Sequence, residues 1–493
     1  MFLAIEDERN PMHIGNVSVF EGPPPTYGDF VRTVAANLPL VPRYRQRVRF
    51  VPMELGRPVW VDDAHFQILY HIRRTAIPQP GSAEELRNLA GRVFAQNLDR
   101  GKPLWELWMV EGLEAGRWAL ISKVHHCMVD GVSGTDLLTV LLDREPRPPP
   151  IGASDWRPAE EPSDLHLLAD AAVDAILDPF TRVRGLPIVA RAIFASGLGM
   201  ANLTDAWNFV QSFASWLNPT VASLNGPIGP HRRWSWASAS LAEVKEIRSA
   251  LGGTVNDVVL CAITRGFRDL LLERGVSVDG KIVRTLVPVS VRRDSEKGLY
   301  NNRVSGLFPG LPVGIDDPVE CLNVIKKQME GFKRSGQAVA GDILTQLSGF
   351  ASPMLLALGA RLATRSEQRL VQTVTTNVPG PRFPLYAAER QLLYSYPYVP
   401  IAGTVRIGIA IFSYLGGLNF GLTGDYDSVP DLEVLKRGIE SGIADMLAAA
   451  RPPVRPARPA RMKSSVTGNR AKRPARRPAG RSASAPSPSQ SAP

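Results

Sequence analysis

The sequence predicts a mixed α/β protein built in two halves, and three observations carry the prediction. Strand-like and helix-like patterns are interleaved over roughly the first 150 residues and again from about residue 233 to 450. The stretch between, residues 165–224, is apolar and helical in character without clear strand alternation. The chain has 493 residues, 44% of them hydrophobic, enough for two or three ordinary domains around a large core.

Taken in order, Leu86, Leu89, Ala90, Val93 and Phe94 recur at helical spacing and predict a helix over 83–98. Residues 106–111 alternate as a strand does, and 118–124 form a second strand ending at His125. Leu137, Leu138, Leu141 and Leu142 predict a helix over 131–142, so the histidine region falls on a strand-to-helix connection. Residues 144–164, rich in proline and acids, read as a linker. The sequence therefore divides into 1–145, a linker and helical bridge over 146–232, a second half over 233–450, and a tail from 451 to 493.

In the second half Ser240-Leu241-Ala242-Glu243 has the pattern of a capping box, with Leu241, Val244, Ile247 and Leu251 as a buried stripe and Gly252-Gly253 as the stop. Thr254-Val255-Asn256-Asp257 opens a helix running to about Glu273. Residues 282–291 are nearly all apolar, which predicts a strand covered on both faces. Pro318 fits the first position of another helix. Strands are expected at 370–378, 405–412 and 418–422, the last two joined through Gly416-Gly417, and residues 431–448 form a closing helix.

The formal charge of +10 is local. Eleven of the 57 Lys and Arg residues lie in 451–493, which holds no acid, so the body carries 46 basic against 47 acidic residues. Nucleic acid is thus no expected partner of the core. The tail is rich in Pro, Ala, Ser and Arg and has too few apolar residues to offset ordering entropy, so disorder is expected. It reads either as a tether to an anionic surface, lipid headgroups or nucleic acid, or as a dispensable solvated segment. Cys127, Cys261 and Cys321 are odd in number and widely spaced, against a disulfide framework or a zinc site. The first residues lack a basic region before their short apolar run, and no run approaches the ~20 apolar residues that span a bilayer. A cytoplasmic, reduced protein is expected, with membrane contact at most peripheral.

The chemistry concentrates in Lys123-Val124-His125-His126-Cys127-Met128-Val129-Asp130-Gly131. Four interpretations compete. The histidines could be satisfied polar residues at a strand end. They could bind a metal, although adjacent strand side chains point to opposite faces and no further ligand cluster is visible. They could serve a nucleophilic triad, although no Gly-x-Ser-x-Gly elbow accompanies them. Or one could be a general base without an enzyme nucleophile, the other packing inward, with Asp130 bracing the loop and Gly131 permitting its turn or a close substrate approach.

Residues 125–131 match the HHxxxDG signature of CoA-dependent acyltransferases, a superfamily that includes chloramphenicol acetyltransferase, carnitine acyltransferases and peptide-synthetase condensation domains. Pro11-Met12-His13-Ile14-Gly15, Pro103-Leu104-Trp105-Glu106, Leu224-Asn225-Gly226-Pro227-Ile228-Gly229, Thr254-Val255-Asn256-Asp257-Val258-Val259-Leu260 and Asn377-Val378-Pro379-Gly380-Pro381 narrow the resemblance to the bacterial wax ester synthase/diacylglycerol acyltransferase family. These blocks run to about Leu435 and leave out the tail. The chain starts almost at the family's first block, so a trimmed start is expected to cost an edge element and leave the site untouched.

The resemblance implies two chloramphenicol-acetyltransferase-like α/β domains joined by a helical linker, with the active site at their interface. It implies that His126 removes the proton from an acceptor hydroxyl, which attacks a long-chain acyl-CoA thioester without an acyl-enzyme. His125 and Asp130 would orient the loop, Asp130 through a distant Arg that the sequence does not identify. Asn256 would stabilise the site or position substrate, and Asp257 mainly cap its helix. The Pro103–Glu106 block would pack the entry to its strand, the Asn377–Pro381 block would be turn chemistry, and the apolar stretch 343–362 a core helix rather than an acyl tunnel. Implied substrates are acyl-CoA, as co-substrate with no other cofactor and no metal, and diacylglycerol or a fatty alcohol. Implied surroundings are a membrane face or lipid inclusion. The alternatives are a condensation-type acyltransferase using carrier-protein thioesters and a noncatalytic lipid-body protein.

Overall fold

A computed structural model describes residues 2–128, 142–147, 156–173, 221–290, 304–335 and 371–451. The helix expected over 131–142 lies, except for Leu142, outside the described residues. So do Asp130, Gly131, the stretch 343–362, the basic tail beyond Arg451 and most of the bridge, of which residues 164–173 are helical.

In chain order the first half holds α1 (Phe2–Ile5), β1 (His13–Phe20), α2 (Tyr27–Asn37), β2 (Gln46–Arg49), β3 (Val59–Asp62), α3 (Ile68–His71), β4 (Ile72–Ala76), α4 (Ala83–Ala95), β5 (Trp105–Glu111) and β6 (Trp118–His125). The second holds β7 (Arg232–Ser240), α5 (Leu241–Leu251), α6 (Val255–Glu273), β8 (Val283–Ser290), β9 (Val304–Leu307), β10 (Gly310–Leu311), α7 (Pro318–Ser335), β11 (Thr373–Pro379), β12 (Tyr386–Ala387), β13 (Arg390–Tyr398), β14 (Ile407–Tyr414), β15 (Gly417–Asp425) and α8 (Leu432–Ala450).

These strands form two large mixed sheets, so the α/β expectation holds. The first has the order β12-β13-β1-β6-β5-β4 and the second β10-β8-β11-β14-β15-β7, with β9 also on β8. The first sheet is therefore not closed by the first half of the chain: β12 and β13 come from between two strands of the second sheet. The sheets meet at Gly421 of β15, where an added Cβ would lie 1.6 Å from the Pro397 carbonyl oxygen of β13.

Both faces of the first sheet are covered. Along β6, Ala119 and Ile121 pack with Leu86, Val93 and Phe94 of α4, whereas Trp118, Leu120 and Val124 pack with Phe30 and Val34 of α2. This two-residue alternation fixes where the strand's last residues point. In the second sheet α6 and α8 bury Val259, Ile263, Leu435 and Ile439 against Ile409, Ile411, Phe420 and Leu422.

Local expectations are met with two corrections. The hairpin between β14 and β15 turns at Leu415-Gly416, both with positive φ (45° and 84°), one position earlier than Gly416-Gly417. This is the two-residue turn whose twist suits a hairpin. Ser240 caps α5 by accepting the Ala242 amide at 3.2 Å, without the box expected with Glu243. Ser240 is also the last residue of β7, opposite Gly417, and its backbone stays in the sheet.

Because backbone meets backbone at Gly421, neither sheet can yield to a side chain. Gly421→Ala is expected to destabilise the fold by about 3 kcal/mol or more. The check is a lower urea midpoint with an unchanged slope.

Candidate active site

The alternation along β6 places His125 on the α4-facing side, fully buried. Its neighbour on β1 is His13, directly opposite in the antiparallel register. The main chain is pinned by the His125 amide on Leu104 O and the His126 amide on Met12 O, each 2.9 Å. A short 3-10 turn, His126–Met128, then leaves the sheet. The amide of Cys127 turns back and donates to His125 Nδ1 at 3.1 Å, with the Cys127 thiol 2.9 Å from the same nitrogen. An accepting Nδ1 carries no proton, so the His125 proton sits on Nε2. That nitrogen faces Glu6 Oε1 at 3.4 Å, an electrostatic contact rather than an aligned hydrogen bond.

His126 is different. Its ring is half-buried and stacks on Phe2 with centroids 4.0 Å apart and planes 16° apart. Burial, with a smaller contribution from His125, holds its pKa below the ordinary 6.5. The imidazole is therefore neutral near pH 7, the state a base needs. Burial and the Glu6 charge push the Cys127 thiol up to about 12, which removes it as a thiolate nucleophile. Among the described residues no group of three or more His, Cys, Asp or Glu side chains is placed to hold a metal.

Beneath the pair lies a buried charged layer. Lys123, two residues back on the same face of β6, has a fully buried side chain; its Nζ donates to Gln96 O at 2.7 Å and lies 3.6 Å from Glu106. Glu106 also accepts from Arg73 and from Trp108 Nε1, each at 3.0 Å. Glu6 is held by Arg100 Nε at 2.9 Å and the Met12 amide at 3.2 Å. Burial pushes its carboxyl up, and His125 and Arg100 more than reverse this, leaving it below the usual value. Burial, then the Lys123 charge, drives His13 well below its ordinary pKa.

The structure thus brings together His125, His126, Glu6, Phe2, His13, Lys123 and Glu106. It does not join Asn256 or Asp257 to them: no hydrogen bond or ion pair among the described residues links either to the histidines. Asp257 does cap α6, but the N-cap is Thr254, with Asp257 at the third helical position completing a capping box (2.7 and 3.2 Å). Asn256 is half-buried on the first turn. The Pro103–Glu106 block is structural, as expected: Leu104 O accepts the His125 amide and Trp105 Nε1 donates to Tyr44 O at 2.8 Å. Asn377–Pro379 end β11, and Gly380 follows where an added Cβ would meet Ser413 O at 2.2 Å, so the block serves strand packing. Asn225 donates to Val371 O at 2.7 Å and is likewise structural.

The first residues reach the site: Phe2 stacks on His126 and Glu6 faces His125. Glu6 and Phe2 went unnoticed as site residues because nothing in their local pattern signals a contact with residues about 120 positions away. His13 stood in a family block, but its place opposite His125 follows only from the strand register.

The fold defines a class, the two-sheet α/β acyltransferases and condensation domains. A trichothecene 15-O-acetyltransferase from Fusarium sporotrichioides superposes with a TM-score of 0.56 at 12% identity, covering 91% of this chain and 93% of that one. The first condensation domain of the calcium-dependent antibiotic synthetase gives 0.53 at 15%, covering 91% and 95%. Within that class the match narrows. Residues 1–259 match the wax ester synthase/diacylglycerol acyltransferase catalytic domain, and residues 300–447 the WS/DGAT C-terminal domain. The probable diacylglycerol O-acyltransferase tgs1 of Mycobacterium tuberculosis is 38% identical over 453 residues, 91% of this chain and 95% of that protein. The wax ester synthase/diacylglycerol acyltransferase from Marinobacter aquaeolei VT8 superposes with a TM-score of 0.62 at 25% identity, over 91% and 97%. The chain belongs to the wax ester synthase/diacylglycerol acyltransferase family and is an O-acyltransferase, moving an acyl group from a donor to a hydroxyl.

Burial holds the Lys123 ammonium at about 8, below its ordinary 10.5. Between those values the unfolded chain binds the proton more tightly, so folding gains stability as pH rises from about 8 toward 10.5. The gain is of order 2–3 kcal/mol. Urea unfolding at pH 7.5 and 9.5 should show this rise in the wild type, and Lys123→Met should flatten it.

Proposed function

We propose that the protein is an acyl-CoA:diacylglycerol O-acyltransferase that forms triacylglycerol, with fatty alcohols as alternative acceptors giving wax esters, and that His126 is its general base. The observation that carries the assignment is the division between the two histidines. His125 has its Nδ1 committed to the Cys127 amide and its ring sealed in, whereas His126 is half-buried and kept neutral. The relatives named as diacylglycerol O-acyltransferases support the acceptor.

In this mechanism His126 takes the proton of the acceptor hydroxyl as its oxygen attacks the thioester carbonyl. The tetrahedral intermediate expels the CoA thiolate, which receives the proton from His126. No bond to the enzyme forms, in keeping with the protonated Cys127 thiol beside the base. Acyl-CoA is a co-substrate and no further cofactor is required. Asp130 and Gly131 support His126 in this reading, and Asn256 stabilises the site or positions substrate. Asp257 completes the capping box of α6.

No described helix is long and apolar enough to cross a membrane. Contact with an anionic lipid surface would then fall to peripheral elements, the basic tail foremost, and deleting residues 452–493 should reduce binding to anionic vesicles. Unchanged partitioning refutes the tether.

Purified enzyme given labelled palmitoyl-CoA with diacylglycerol and hexadecanol in competition should make triacylglycerol as the main product. Carrier-protein thioesters should not replace the CoA donor, and transfer from them in preference to CoA would favour the condensation-type alternative. His126→Ala should lower turnover by about 10²–10⁴-fold while sparing lipid binding. Wild-type turnover in that variant refutes the mechanism and leaves the noncatalytic alternative for lipid binding. Because burial lowers the His126 pKa, the acidic limb of kcat/KM should lie below 6.5.

A further inference from the structure

We propose that Glu6 is a positioning residue whose carboxylate fixes the ring of His125 and, through it, the turn that presents His126. The proposal rests on the assignment of His126 as the base.

The geometry is closed on every side. The Glu6 side chain is 3% exposed. One carboxylate oxygen is taken by Arg100, and the other accepts the Met12 amide and faces His125 Nε2. The His125 ring is fully buried and has no water to turn to. A carboxylate oxygen at Nε2 selects the tautomer with its proton there, which leaves Nδ1 free to accept the Cys127 amide. The other tautomer would set N–H against N–H at Cys127, a flipped ring would set the Cδ2–H there, and either would leave Glu6 without its counterpart. Cys127 follows His126 directly, so the tautomer of the buried histidine sets the backbone that carries the base.

The same helical turn acts on His126 itself. Phe2 opens α1 and Glu6 follows its last residue, the Glu6 amide donating to Phe2 O at 3.1 Å. This turn sets Phe2 on the His126 ring and Glu6 against the His125 ring. Arg100 holds the turn in place by donating to Leu3 O at 3.0 Å and Glu6 O at 3.3 Å, and Asn97 donates to Asp7 O at 3.1 Å. Arg100 and the Met12 amide hold the buried carboxylate in place, with one oxygen left facing His125 Nε2.

The test combines side-chain nitrogen NMR of the histidines with the kinetics of E6Q, E6L and H126A on the full chain. Wild-type His125 is expected as the Nε2–H tautomer. E6Q keeps an acceptor oxygen and should stay within about fivefold of wild-type kcat, whereas E6L should lose about 30-fold or more in kcat. KM for both substrates should change by no more than about threefold, and His125 in E6L should become a mixture of tautomers. Wild-type kcat in E6L beside an inactive H126A refutes the positioning role alone. An Nδ1–H tautomer in the wild type does the same, as do equal losses in E6Q and E6L with the tautomer unchanged. Full activity in H126A refutes the base itself, and the role of Glu6 with it. Should E6L fail to fold, the wild-type tautomer and E6Q decide: the Nε2–H form with a near-wild-type E6Q supports the proposal, and E6Q as inactive as H126A overturns it.

Discussion

The antiparallel pairing of β1 with β6 is the constraint on which the rest of the site depends. Its register sets His13 opposite His125 and Gly15 opposite Lys123. The period-two alternation of β6 then sends Lys123 and His125 to the α4 side and Val124 to the α2 side. Two adjacent histidines are separated by that pleat into different surroundings. A slip of one residue would put His126 into the sealed layer and turn His125 to the opposite face. The large buried rings that flank β6, Trp118 on one face and Phe94 on the other, make such a slip expensive, so the apolar core specifies which histidine is which.

The charges beneath the pair follow from the same register. Once Lys123 faces inward, a neighbour must compensate it, because a lone buried charge costs several kcal/mol. Glu106 meets Lys123 across β5 and β6, and Glu6, just past α1, faces the His125 ring. Burial nevertheless dominates at three of the bases: Lys123, His13 and His126 are all shifted toward their neutral forms.

Much of this was legible in the sequence, and the part that was not has a common cause. The strand ending at His125, the α4 stripe and the helix opening at Thr254 all declare themselves through local periodicity and capping chemistry. The motif itself marked His126 as the candidate base. What local pattern cannot encode is pairing across distance. Glu6 meets His125, and β13 joins β1 across almost the length of the body. The boundary of the first sheet escaped for the same reason, since β12 and β13 read as part of the second half and are built into the first. Even the capping box was misplaced at Ser240 because that residue answers to β15 as well as to its own helix.

The exchanged strand also ties the histidine turn to both sheets. β13 is the partner of β1 on the side away from β6, and its Pro397 carbonyl rests on Gly421 of the second sheet. Arg9 O accepts from Arg232, and Asn10 Oδ1 from the Gly403 amide at 2.9 Å, so the segment leading into β1 is anchored by the second half as well. Among the described residues α4 also packs on β7 through Gly91 and Phe94, and β13 and residues 9–13 are two further links between the sheets. Both lead directly to β1, and β1 carries His13 and the Met12 carbonyl that holds the His126 amide. The backbone of His126 is thereby tied to both sheets.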